Sequence, residues 1–234
     1  RGHMNLSTSL GGVVYSFRDV KEVLAKANEL KSGDQLAGIA AETTQERVAA
    51  KVVLSELLLK EIREHPLIPL EEDEVSRLLE ADINEKIYEE IKHWSVAELR
   101  EYILRIDVGN RELQRISKGL SSEMIAAVTK LMTNMDLIYA ASKIEIITTC
   151  NISIGQRGTL SSRLQPNHPT DNIDGIMASV KEGLAYGVGD AVIGINPVDD
   201  SVDSVRRILE ATKDFMGEWQ VPTQNCVLAH VTTQ

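Results

Sequence analysis

The sequence predicts an α/β protein in two unlike parts: a mostly helical region, then a parallel sheet covered by helices. Up to about Lys143, apolar residues recur at helical spacing behind residues suited to cap a helix. After Lys143, short β-branched runs alternate with longer amphipathic stretches, the rhythm of strand, helix, strand. The runs are also apolar throughout, "AVIGI" above all, as strands buried on both faces must be.

In the helical part, "DVKEVLAKANELKSG" predicts one helix with Asp19 as N-cap, Val20, Val23, Leu24, Ala27 and Leu30 on its buried face, and Gly33 as its stop. "TTQERVAAKVVLSELLLKEI" opens with Thr43 and Glu46 at capping-box spacing, and "SVAELREYIL" repeats the device with Ser95 and Glu98. Pro66 and Pro69 break the helical pattern, which restarts on acidic residues suited to a helix N-terminus. "SSEMIAAVTKLM" and "MDLIYAASK" supply further turns, and "GGVVYSF" ahead of all of them alternates like a short strand. In the second part the expected strands are "IITTCNISI", "AVIGI" and "CVLAHV". The helices between them bury Ile173, Ile176, Met177, Val180 and Leu184, and then Val202, Val205, Ile208, Leu209 and Phe215. The expected domains are residues 4–143 and 144–234, preceded by a cloning remnant at residues 1–3 with Met4 as the native start.

Composition narrows the function. With 234 residues the chain can bury a sizeable core, and its formal net charge of -10 argues against a nucleic-acid partner, which needs a basic surface. No apolar run is long enough to span a bilayer, and no secretory signal is evident. Cys150 and Cys226 are far apart, each in an apolar stretch, and are expected as buried reduced thiols in a cytoplasmic protein.

Ligands of parallel α/β proteins bind beyond the carboxyl ends of the strands. Those ends read "RGTLSSRLQPN", "NPVDD" and "HVTTQ". Arg163 and Gln165, two apart, share a face of an extended segment. Pro166 biases Gln165 toward extended backbone, and Pro197 does the same for Asn196. A guanidinium fork and two amides suit a small polar ligand with hydroxyl or amino groups, although Asn before Pro also starts ordinary turns. Other chemistries lack their residues. Gly187 and Gly189 follow a helix, the wrong order for a phosphate loop, and "GQRG" from Gly155 to Gly158 lacks the spacing. Asp199, Asp200 and Asp203 read as helix caps rather than a metal site. His230 reads as a core histidine or a site neighbour. No lysine stands at a strand end for Schiff-base chemistry, and no catalytic base is identifiable.

The strings "FRDVKEVLAKANELKSGDQLAGIAAETTQERVAAK", "SSRLQPN", "GLAYGVGDAVIGINPV" and "PTQNCVLAHVTTQ" resemble the ethanolamine ammonia-lyase large-subunit family. The resemblance runs from Met4 to Gln234 and is loosest between about Arg105 and Arg157. The family's subunit is considerably longer, and this chain stops within its pattern. The resemblance implies an eight-stranded parallel β/α (TIM) barrel behind a smaller N-terminal region, with three of the eight strands present. It implies adenosylcobalamin as cofactor and the radical conversion of ethanolamine to acetaldehyde and ammonia. The family's substrate-binding residues map onto Arg163, Gln165 and Asn196, and a cobalamin-lining position onto Pro197. Its carboxylates for the ammonium group fall beyond Gln234, and no metal ligand is implied. A small subunit, assembly into a hetero-oligomer and a bacterial microcompartment location follow from the same resemblance. The rival readings are another β/α-barrel enzyme acting on a small amino alcohol or polyol, and a non-catalytic assembly subunit.

Overall fold

The computed structural model describes residues 4–230, 232 and 233. The remnant expected at residues 1–3 lies outside them. The chain divides into two compact units between Ile144 and Glu145.

The first unit opens with an antiparallel hairpin, β1 (Ser7–Leu10) and β2 (Val13–Ser16), turned at Gly11 and Gly12. Both glycines have positive φ, which a two-residue hairpin turn of this kind requires. Ten helices follow: α1 (Val20–Lys26), α2 (Ser32–Leu36), α3 (Thr44–Glu56), α4 (Leu59–Glu64), α5 (Glu74–Ala81), α6 (Glu85–Ile91), α7 (Val96–Leu104), α8 (Asn110–Ser117), α9 (Ser122–Lys130) and α10 (Asn134–Lys143). Their caps are local chemistry. Asp19 accepts from the Glu22 amide at 2.8 Å, and Ser95 and Glu98 satisfy each other's backbone N–H at 3.1 and 2.7 Å. The core gathers Val20, Val23, Leu54, Leu59, Ile62, Leu99 and Met124, all essentially without exposure.

Two expected helices are divided. The first ends at Lys26 rather than running to Gly33, and just beyond it the Asn28 side chain bonds Asp34 and the Lys130 ammonium. Gly33 lies inside α2, and Leu30 is 57% exposed. The long "TTQERVAAKVVLSELLLKEI" helix breaks at Leu57 and Leu58. There the backbone leaves the helix to pair with the segment before α7, with Leu59 N–H donating to Trp94 O and Val96 N–H to Leu57 O, each at 2.9 Å.

The second unit contains β3 (Thr148–Thr149), β4 (Ser153–Ile154), β5 (Arg163–Leu164), α11 (Ile173–Ala185), β6 (Val192–Ile195), α12 (Val202–Glu218) and β7 (Asn225–Val227). A parallel three-stranded sheet in the order β5-β6-β7 is present, but its first strand is not the expected one. "IITTCNISI" folds back on itself as the antiparallel pair β3–β4. Its centre, Thr148 to Asn151, is polar and exposed, so it has no apolar face to offer a helix layer. Gly155, at φ 99° with any Cβ 2.1 Å from Ile146 O, closes that pair where a side chain cannot fit. The strand that does enter the sheet is Arg163–Leu164, taken from the polar stretch.

Leu164 packs against Gly183 of α11 and Gly189 beyond it, and Ile193, Ile195 and Val227 join Ile176, Val180, Ile208 and Phe215 in the core between sheet and helices. Val202 sits in the first turn of α12 and is exposed, unlike the other expected core residues of that helix. Both cysteines are exposed rather than buried, because Cys226 alternates onto the face of β7 away from the helices while Cys150 lies in the β3–β4 turn.

Candidate functional site at the strand ends

Register and alternation define the two faces of the sheet. Arg163 pairs with Val192 and Leu164 with Ile193, while Gly194 pairs with Cys226. Leu164, Ile193 and Ile195 turn to the helices, so Arg163, Gln165, Gly194 and Asn196 share the opposite face. The Arg163 guanidinium lies directly on Gly194, where an added Cβ would stand 2.6 Å from Nε and Nη2. Glycine inside an apolar strand marks a close approach, and here the approaching group is a cation. Arg163 has no hydrogen-bond or ion-pair partner among the described residues. Its five donors therefore remain available.

Asn196 follows the last residue of β6. Its side-chain Oδ1 is shut off from solvent and has no hydrogen-bond partner among the described residues. A buried acceptor without a donor costs about 1–3 kcal/mol, so the position is poised for a donor supplied from elsewhere. Its own N–H donates to Asn167 Oδ1 at 2.9 Å, which joins the carboxyl ends of β5 and β6. Gln165 is exposed, and its carbonyl accepts from Asn167 N–H at 3.0 Å across the buried Pro166. Pro197 is half-buried beside Asn196, and Val198 after it is exposed.

Three acidic side chains near this edge, those of Asp171, Asp199 and Asp200, are engaged. Asp171, 6% exposed, accepts from the N–H groups of Val198 at 2.9 Å and Asp199 at 2.8 Å. Asp199 accepts from the Ser201 N–H and hydroxyl, ahead of α12. Asp200 accepts from His230 N–H at 3.4 Å. His230 is exposed rather than a core residue, and its Nδ1 bonds the Thr232 hydroxyl and N–H in its own turn.

The opposite, amino-terminal edge is latched by structural bonds. Asp190 accepts from the Ser162 hydroxyl at 2.6 Å and its N–H at 2.8 Å, and these bonds hold its carboxyl below the ordinary range. The Thr223 hydroxyl donates to Gly189 O and Asn151 donates to Thr223 O. One edge is thus closed by its own hydrogen bonds, while the other presents free donors and an unpaired acceptor.

Asn167, Asp171 and Gly194 escaped the reading of the sequence. Only Gly194 carried a legible signal, as a glycine in the middle of an apolar strand. Asp171 looked like any acidic residue before a helix.

The arrangement defines a class: α/β proteins with a parallel sheet, whose carboxyl strand ends are the edge where ligands of such proteins bind. Comparison with known proteins makes the class particular. Residues 15–234 match the family model described as ethanolamine ammonia lyase large subunit (EutB). The chain is 53% identical over 231 residues to the ethanolamine ammonia-lyase large subunit of Escherichia coli strain K12. It is equally similar to the protein of that name from Salmonella typhimurium strain LT2. Each match takes in 99% of this chain and 51% of the relative, so the chain spans about half the length of the curated relatives it matches. The chain belongs to the ethanolamine ammonia-lyase large-subunit family.

Proposed function

We propose that this chain is the N-terminal portion of a catalytic subunit that converts ethanolamine to acetaldehyde and ammonia. The observation that carries the reading is the unpaired, solvent-shielded Oδ1 of Asn196, on the same sheet face as the unpartnered Arg163. An amino alcohol has donors for the first and a hydroxyl oxygen for the second. In this reading Arg163 donates to the hydroxyl oxygen, Asn196 accepts from the substrate's polar hydrogens, and the exposed Gln165 amide closes the polar edge. Together they fix the carbinol carbon in one orientation, which is where enzymes of this kind gain rate.

Adenosylcobalamin, the family's cofactor by resemblance, would supply the carbon-centred radical that begins the reaction when bound. The residues fit such a group in one respect. Pro197, which has no N–H, and the exposed Val198 offer apolar surface next to Asn196, which suits the apolar surface of such a group. Pro197 would line the cofactor while its ring restricts the backbone of Asn196.

The sheet supports placing residues 144–234 as the opening β/α units of a TIM barrel behind a helical region at 4–143. Its strands lie in sequential order, with α11 and α12 packed on one face, as in a barrel rather than a doubly wound sheet. The other face, bearing Arg163, Gly194 and Asn196, would then be the inner one. The relatives are named large subunits, and a small-subunit partner, a hetero-oligomer and a microcompartment location belong to the same proposal.

The test uses the full-length protein assembled with its small subunit and adenosylcobalamin. Asn196→Ala should raise the KM for ethanolamine about tenfold, corresponding to a hydrogen bond of about 1.4 kcal/mol, with thermal stability nearly unchanged. If ethanolamine kinetics stay at wild-type values while the variant melts far earlier, Asn196 is structural and the substrate reading falls.

A further inference from the structure

We propose that Asp171, together with Asn167, is a positioning residue that sets the Asn196 amide by holding residues 196–199 from across the edge of the sheet. The inference rests on the substrate-site reading above and goes one step deeper into that site.

Asn196 stands outside the ladder of β6, so sheet hydrogen bonds do not orient it. The four residues that carry it offer backbone donors only at Asn196, Val198 and Asp199, since Pro197 has no N–H. Each of those donors ends on a side chain from the segment following β5: Asn196 on Asn167, and Val198 and Asp199 on the two oxygens of Asp171. The acceptors are not loose. Asn167 N–H donates to Gln165 O over the buried Pro166, and Asp171 N–H donates to His168 O at 3.1 Å. His168 Nδ1 bonds the N–H and hydroxyl of Thr170. Its ring lies on Gly175 of α11, where a Cβ would stand 2.4 Å from Cδ2. Asp171 itself has φ 51°, a conformation that L residues avoid unless their surroundings impose it.

A buried carboxylate can accept at both oxygens, and this one does so with one backbone segment. Aspartate is therefore suited to the position in a way its isostere is not. The amide introduced by Asp171→Asn would keep one acceptor and direct an NH2 group at a backbone N–H. The loop after β5 thus acts as a template for the loop after β6, and the direction of the Asn196 amide depends on it.

A double-mutant cycle in the full-length complex tests this. Asp171→Asn should lower kcat/KM for ethanolamine by about threefold to tenfold, at most the loss on removing the Asn196 amide itself, since a displaced group gives up only its own contribution. Combined with Asn196→Ala it should cost nothing further, within about twofold, because Asp171 acts through the amide already removed. Asn167→Ala removes only the acceptor of the Asn196 N–H. It should show a smaller loss with the same non-additivity, and it carries the test if Asp171→Asn fails to assemble. If the losses multiply, or if Asp171→Asn and Asn167→Ala leave kcat/KM unchanged while Asn196→Ala lowers it, the positioning role is overturned and the substrate site stands. If Asn196→Ala itself is silent, the substrate site falls, and the positioning role with it.

Discussion

The guanidinium of Arg163 rests where a side chain at position 194 would be. A methyl group there would push on the tip of a flexible side chain, not on backbone, so the fold can absorb it while the cation cannot keep its place. Gly194→Ala in the full-length complex should therefore shift the thermal midpoint by less than about 3 °C, roughly 1 kcal/mol, yet lower ethanolamine turnover. Arg163→Lys should lower it by one to two orders of magnitude, about 1.4–2.7 kcal/mol, because a mobile ammonium does not reproduce a planar fork. Steady-state kinetics beside calorimetry separate the two effects. Wild-type turnover in both variants would reduce Arg163 to general positive charge.

Among the elements, α10 shows how one carboxylate joins local and tertiary order. Asp136 accepts from the Thr133 N–H at 3.0 Å while the Thr133 hydroxyl accepts from Asp136 N–H, a reciprocal cap. The same carboxylate accepts from Arg100 on α7 at 2.8 Å. The Thr133 amide first, and Arg100 second, hold its carboxyl below the usual range. A lowered folded value means that the stabilisation is complete above the unfolded value, about 3.9, and is lost as pH falls through the folded one. Asp136→Asn should thus lower the urea midpoint of the helical unit at pH 6, and the gap to wild type should close below about pH 4. Circular dichroism at both pH values measures it. A gap that persists into acid would mean that the carboxylate charge contributes nothing.

At the scale of the molecule, the sheet packs helices against one face, and the exposed Cys226 belongs to the other. In this chain both Cys150 and Cys226 should react with an aromatic disulfide reagent in native buffer, giving two equivalents without urea. If the face opposite the helices is the interior of a barrel, Cys226 should become protected in the full-length assembled protein. Mass spectrometry of labelled peptides reads both states. Equal reactivity of Cys226 in the two would count against the barrel, and protection already in this chain would contradict its exposure.

Local devices were legible without a structure. The caps at Asp19 and Ser95, the break at Pro66 and Pro69, and the alternation of strand and helix after Lys143 depend on neighbours a few residues away, which the sequence displays directly. The prominence of Arg163, Gln165, Asn196 and Pro197 also came from local chemistry, polar groups at strand ends fixed by prolines. Tertiary structure alone decided the rest. It broke the helix at Leu57 because a distant segment before α7 pairs there. It also replaced "IITTCNISI" by Arg163–Leu164 as the first parallel strand. A two-residue strand with a single apolar side chain has too little pattern to recognise. Its place is set by Leu164 fitting against Gly183 and Gly189 and by Gly194 making room for a guanidinium. Such complementarity exists only between segments that folding brings together, and no stretch of the chain records it alone.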